Sequence, residues 1–206
     1  PNGAGKTTLF RLIQQQETPT SGVLRLGSSI NVGYFAQEQE SIDGSRSPID
    51  LVRRIKPLNE QQALGFLISF LFDRDDAMRP ADELSGGEQS RLQIALLILS
   101  GANFLLLDEP TNNLDIDSVE ALEDALIEFG GTILAISHDR YFLDRVSTRT
   151  VALEQGLIHD YPGPYSYVLE NREKGTPLTR RLAQPVIANP EPSKRKPARR
   201  GGMLTR

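Results

Sequence analysis

The residues with the richest chemistry lie in a few short clusters, the first at the start of the chain. Pro1-Asn2-Gly3-Ala4-Gly5-Lys6-Thr7-Thr8 follows the pattern of a phosphate-binding loop, G-x-x-x-x-G-K-[ST], and lacks only the opening glycine. Gly3 and Gly5 permit the backbone turns that aim successive N–H groups at a polyphosphate. Lys6 supplies a compact charge for β- and γ-phosphates, and the Thr7 hydroxyl can bind Mg²⁺. The stretch from Thr8 to Gln16 is helix-compatible, which puts the phosphates at a helix N-terminus.

A second cluster ends the run Phe104-Leu105-Leu106-Leu107, whose continuous apolar character predicts a buried parallel strand. Such a strand delivers Asp108 and Glu109 at its C-terminal end, where α/β sheets place ligands. Asp108 is suited to hold Mg²⁺, directly or through water. Glu109 is suited to orient or deprotonate a water attacking a γ-phosphate. Thr132 to Ile136 reads as another buried strand and presents His138, a further group for a γ-phosphate. Gln37, just past a strand predicted over Ile30–Phe35, either reaches a metal or water or is simply solvated. Ser85-Gly86-Gly87-Glu88-Gln89 precedes a helix predicted over about Arg91–Leu99. It is either a second anion-binding end or a plain N-cap.

The elements needed to position these groups are legible around them. Val23–Leu26 reads as an additional strand. Helical segments are predicted after Pro48, over Glu60–Phe72, over Asp117–Glu128 and over Arg140–Val146. Arg149–Leu153 and Leu157–Tyr161 read as a hairpin, followed by a turn through Pro162-Gly163-Pro164. The stretch between Gln37 and Leu84 is a mostly helical insert whose aromatic residues are core.

Composition narrows the options. With 38% hydrophobic and 24% charged residues, the chain is ordinary for a soluble globular protein. It has no cysteine, which excludes disulfides and thiolate metal sites. No apolar run reaches the length of a membrane span. From Arg172 onward ten Lys/Arg face two Asp/Glu, a balance of +8 within a chain of net charge −4. The tail is either a nucleic-acid contact or a solubilising segment.

In order, residues 1–8, Gln37, 84–89, 104–110, Asp115 and His138 resemble the Walker A, Q-loop, signature, Walker B, D-loop and switch histidine of an ABC-type ATPase. The stretches LSGGEQSR (84–91), DEPTNNLD (108–115), SHDRYFLDR (137–145) and YPGPYSY (161–167) are similar to the ABC-F branch of that superfamily. The resemblance implies an α/β fold: a P-loop NTPase, ABC-type nucleotide-binding domain over 1–171, with a helical subdomain at about 48–101. Its N-terminal strands would be missing, and 172–206 would form a basic, Pro-rich, disordered tail. It further implies ATP and Mg²⁺ as cofactors, with Glu109, His138 and Gln37 in catalysis and Thr7, Gln37 and Asp108 at the metal. Asn2, Gly3, Ala4, Gly5, Lys6, Thr7 and Thr8 would bind nucleotide. Ser85, Gly86, Gly87, Gln89 and Asp115 would also bind nucleotide, the first three serving ATP on an opposite domain.

The start inside the phosphate loop predicts a fragment, with the partner domain in the missing N-terminal half of the same chain. The resemblance further implies ATP hydrolysis by a ribosome-associated translation factor or an antibiotic-resistance protein, with ribosome and tRNA as further partners, in the cytoplasm and without a membrane span. A single motif set and the absence of an adenine-stacking aromatic depart from the family pattern. Pro164 stands where many members carry asparagine. Two other readings stay open: an ABC-transporter ATPase subunit and an inactive remnant. Asn112-Asn113 and the Arg140-Tyr141-Phe142-Leu143 segment argue against the first.

Overall fold

The computed structural model describes residues 5–36, 42–112, 114–154 and 157–173. At its centre lies a parallel three-stranded sheet of β1 (Val32–Phe35), β2 (Phe104–Asp108) and β3 (Thr132–Ile136), in the order β1-β2-β3. Phe35 pairs with Leu107 and Asp108 with Ile136, so all three strands end at one edge. The central position of β2 explains its composition. Leu105, Leu106 and Leu107 are fully buried, as expected for a strand covered on both faces. Each contributes about 2 kcal/mol of transfer free energy.

Alternation along β2 assigns its side chains to two different cores. Leu106 meets Phe10 and Ile13 of α1 (Lys6–Ile13). Leu105 and Leu107 face Ile94, Leu122, Leu126 and Phe142. These come from α5 (Gly86–Leu99), α6 (Ile116–Ile127) and α7 (Arg140–Val146).

Between β1 and β2, helices α2 (Pro48–Ile55), α3 (Glu60–Ile68) and α4 (Arg74–Met78) pack with α5 around a core that includes Val52, Leu67, Phe72 and Leu92. Their starts are set chemically. Ser47, Asn59 and Asp73 each cap the following helix with a side-chain oxygen, and Pro48 occupies the first turn of α2. An antiparallel hairpin of β4 (Thr150–Glu154) and β5 (Leu157–Tyr161) follows α7. After it, α8 (Tyr165–Glu173) returns to α7, where the Ser166 N–H donates to Asp144 Oδ1 at 2.6 Å.

Several expectations are corrected. Val23–Leu26 forms no strand: Val23 is 78% exposed, and no ladder partner meets this stretch among the described residues. β1 begins at Val32 rather than Ile30. α3 stops at Ile68, and Leu71, at φ 55°, adopts a left-handed conformation that no helix can continue. The turn it makes still brings Phe70 and Phe72 into the core. α5 starts five residues earlier than the sequence suggests, at Gly86 rather than Arg91. The short α4 was not anticipated. Among the described residues no helix is long and apolar enough to cross a membrane.

Candidate active site

The first piece is the start of α1. Gly5 is its N-cap at φ 91°, ψ 11°, a left-handed conformation that costs glycine little. Among the described residues no side chain caps the helix, whose first-turn N–H groups stand at the positive end of the helix dipole. Thr7 and Thr8 lie exposed in that turn. The arrangement suits an anion.

The second piece is the shared edge of the sheet. Lys6 Nζ lies 3.4 Å from His138 Nε2, which joins the start of α1 to the end of β3. The backbone N–H of His138 donates to Glu109 Oε2 at 3.1 Å, and His138 Nε2 stands 3.5 Å from Glu109 Oε1. Glu109 itself has φ 51°, unusual for a side chain with a Cβ. Its N–H donates to the Ile136 carbonyl at 2.8 Å, which extends the β2–β3 ladder and helps hold that conformation. Strain of this kind is retained where the surroundings over-determine it, commonly at functional sites. The Glu109 side chain is 11% exposed and that of His138 64%, so the acid is sheltered and the imidazole faces solvent.

Asp108 adds a second carboxylate beside the first. Burial pushes its carboxyl above the ordinary value of 3.8, the neighbouring Glu109 charge pushes it further, and Lys6 pulls it back. Two adjacent acids with one ammonium leave an electrostatic deficit that a divalent cation relieves. No cluster of three or more His, Cys, Asp or Glu among the described residues is arranged to hold a metal alone. The pair of carboxylates suits Mg²⁺, which takes one or two carboxylates and keeps water and phosphate oxygens. Asp108 and Thr7 are the described residues suited to hold it.

The 84–89 stretch is built differently. Ser85 Oγ accepts from the Glu88 N–H at 3.3 Å while Glu88 Oε2 accepts from the Ser85 N–H at 2.7 Å, a reciprocal capping box. Gln89 Nε2 donates to the carbonyls of Ala81 and Leu84, both at 3.1 Å, so its amide braces the turn. Ser85 and Gly86 are exposed, whereas Gly87 is buried. Asp115 caps α6, with Oδ1 accepting from the Ser118 N–H at 2.7 Å. That backbone bond, then the Ser118 hydroxyl and the Arg91 charge, hold the Asp115 carboxyl below its usual range.

The structure thus unites Gly5, Lys6, Thr7, Thr8, Asp108, Glu109 and His138. Among the described residues no hydrogen bond or ion pair joins them to Ser85–Gln89 or Asp115. Asn2, Gly3, Ala4 and Gln37 lie outside the described residues. Sequence reasoning overlooked Ser137, whose Oγ accepts from the Asp139 N–H at 3.0 Å and lies 3.5 Å from Thr111 Oγ1, tying the β3 end to the turn after Glu109. It also overlooked Ser118 and Arg91, both buried. The S-x-x-E spacing of Ser85 and Glu88 was a readable signal for the early start of α5.

The family model described as ABC transporter matches residues 1–112. The ATP-binding protein YdiF of Bacillus subtilis is 45% identical over 173 residues, covering 84% of this chain and 27% of that protein. The energy-dependent translational throttle protein EttA of Escherichia coli K12 is 39% identical over 180 residues, covering 84% of this chain and 32% of its own length. The chain therefore spans about a third or less of these curated relatives. Among solved structures, the archaeal ribosome recycling factor aABCE1, in complex with the ribosomal stalk protein aP1, superposes with a TM-score of 0.65 at 28% identity. That match covers 85% of this chain and 35% of that one. With a family model spanning more than half its length and relatives of this kind, the chain belongs to the ATP-binding cassette family, in its ABC-F branch.

Proposed function

We propose that the chain is an ATP-hydrolysing cassette of a ribosome-directed ABC-F protein, working in the cytoplasm on translation. The observation that carries the chemistry is the Lys6–His138–Glu109 constellation at the sheet edge, beside Asp108. Lys6 and the first-turn amides of α1 hold the phosphates. Bound Mg²⁺ would supply charge neutralisation at the β- and γ-phosphates, with Thr7 and Asp108 as described ligands and Gln37 as a further candidate.

Glu109 accepts the proton of the attacking water as the water oxygen bonds to the γ-phosphorus. The bond to the β-bridging oxygen breaks, leaving ADP and phosphate. The His138 backbone N–H keeps the Glu109 carboxylate in place, and its exposed ring, 3.4 Å from Lys6 Nζ, is the group assigned to contact the γ-phosphate. The loop Ser85–Gly87 and Asp115 stand apart from this constellation, which supports a composite site: they serve ATP held by a second cassette. The cassette spans 1–171 with its helical subdomain at about 48–101, and the basic tail follows from 172. The translational roles named for EttA and for the aABCE1 complex support a ribosome as partner, and tRNA is proposed from the ABC-F resemblance alone.

The test is phosphate release and ribosome co-sedimentation by the assembled pair of cassettes, wild type against Glu109→Gln, with and without ATP. Expected are hydrolysis by wild type and ATP-dependent pelleting of the variant. Absence of hydrolysis by wild type overturns the enzymatic reading. Equal pelleting with and without ATP overturns the ribosomal one.

A further inference from the structure

The two glycines of the 85–89 turn meet different surroundings. A Cβ added at Gly86 meets nothing within 4 Å, whereas one at Gly87 would stand 2.8 Å from Ser118 Oγ and 3.3 Å from Ser118 Cβ. Ser118 is 3% exposed and lies in the first turn of α6. Its hydroxyl accepts from Arg91 Nη1 at 2.6 Å, and its N–H is the one capped by Asp115. Arg91 stands one turn beyond Gly87 on α5. It is 8% exposed, with its guanidinium 5.6 Å from the centre of the Phe72 ring in the helical core. Its Nε is buried without a hydrogen-bond partner, and the bond from Nη1 to Ser118 is the hydrogen bond this guanidinium makes among the described residues, beside the attraction of the Asp115 carboxylate.

A buried arginine is costly unless paired, and a close-packed junction has no room for an extra carbon. Ser118 therefore meets three things at once: the bare backbone of Gly87, the Arg91 guanidinium and the Asp115 cap. We infer that Ser118 is a positioning residue, anchored by Arg91, which fixes the 85–89 turn against the Asp115 turn. Gly87 is glycine because the Ser118 hydroxyl occupies the place of its side chain, while Gly86 is the glycine left open to a ligand. This rests on the reading above, in which the turn serves ATP on the partner cassette. It adds that the turn's aim is set from within its own domain, by α6.

Second-site rescue tests this in the assembled pair of cassettes, with ATPase kinetics and MgATP binding measured in parallel. Gly87→Ala lowers kcat by about 30-fold, and adding Ser118→Gly restores about threefold, up to the level of a variant lacking only the Ser118 hydroxyl, because the clash is removed while the Arg91 anchor stays lost. A nucleotide-facing glycine would instead give a double variant no better than Gly87→Ala, and that result overturns the inference. Ser118→Ala, which needs no new space, lowers kcat about tenfold while MgATP affinity at the cassette's own phosphate loop stays within about twofold. Unchanged kcat in Ser118→Ala, or affinity lost in parallel with rate, also overturns it. A wild-type pair that hydrolyses no ATP sinks the proposed function. An active wild type without rescue sinks only the role given to Ser118.

Discussion

The backbone of His138 holds the carboxylate of Glu109: its N–H donates to Oε2 at 3.1 Å, independently of what the imidazole does. One residue thus has two separable jobs, with the main chain orienting the acid and the side chain lying between Glu109 and Lys6.

Replacement of His138 by alanine keeps the backbone bond and removes only the ring. The expected outcome is a kcat lower by about 10²–10³ with MgATP affinity changed by less than about threefold. Single-turnover phosphate release beside equilibrium nucleotide binding checks it. A variant that loses binding as strongly as rate would show that the ring is needed for the ground state.

Glu109→Gln preserves shape and the acceptor for the His138 N–H but not the base. Hydrolysis is expected to fall by about 10²–10⁴ while ATP is retained. The retained nucleotide, analysed after gel filtration, should be ATP and not ADP. Normal turnover would remove Glu109 from the chemistry.

Asp108→Asn separates stability from activity. The Asp108 carboxyl lies above its ordinary 3.8, through burial and then the Glu109 charge, so the folded state binds this proton more tightly than the unfolded chain. Stability from this group is present below the unfolded value and is lost as pH rises through the folded one. Without ligand, the Asn variant should therefore melt higher than wild type at pH 7.5 and show no such advantage near pH 3. It should also lose Mg²⁺-dependent turnover. Calorimetric scans at the two pH values decide it, and a lower Tm at pH 7.5 would contradict the assignment.

Arg145 and Glu123 give an asymmetric pair. Arg145 Nη1 lies 2.7 Å from Glu123 Oε2 and Nη2 lies 2.7 Å from Asp124 Oδ1, while the Glu123 side chain is 6% exposed. Arg145→Ala strands a buried carboxylate and should cost about 2 kcal/mol, lowering Tm by about 4–8 °C. Glu123→Gln keeps an acceptor and leaves Arg145 with Asp124, so about 1 kcal/mol is expected. Equal losses in thermal denaturation would show that Glu123 is not the dependent partner.

What the sequence made legible was the positioning of chemistry by strands. Asp108 and Glu109 end an apolar run that is buried in the central strand. β3, expected to be buried as well, is an outer strand with Thr132 exposed and the other residues half-buried. The structure still brings Asp108, Glu109 and His138 to one edge. What stayed hidden has physical causes. Gly86-Gly87 has poor intrinsic helix propensity, so α5 seemed to begin later, but the Ser85–Glu88 capping box and the packing against α6 override it. Val23–Leu26 carries strand-like side chains, yet a strand exists only through its partners. On α6 and just past it the apolar period points to Val119, Leu122, Ala125, Leu126 and Phe129, of which Leu122 and Leu126 are buried and the other three half-buried, but it gives no sign that Ser118 and Glu123 share the interior. Polar residues on a buried face are invisible to periodicity because their partners, Arg91 and Arg145, sit on other helices.

The register of the sheet sets how this site can change over evolution or by engineering. Phe35 pairs with Leu107, and Asp108 with Ile136, so each functional group stands a fixed number of residues past a paired position. Swapping one buried aliphatic for another along β2 leaves that count intact. A single-residue insertion or deletion between Phe104 and Asp108 does not, because a shift by one sends every following side chain to the opposite face. Asp108 and Glu109 would then exchange faces, and the separate roles proposed for the two acids would be lost together. Tolerance here is therefore a matter of length before composition, and libraries that vary β2 and β3 should substitute freely while never changing their spacing.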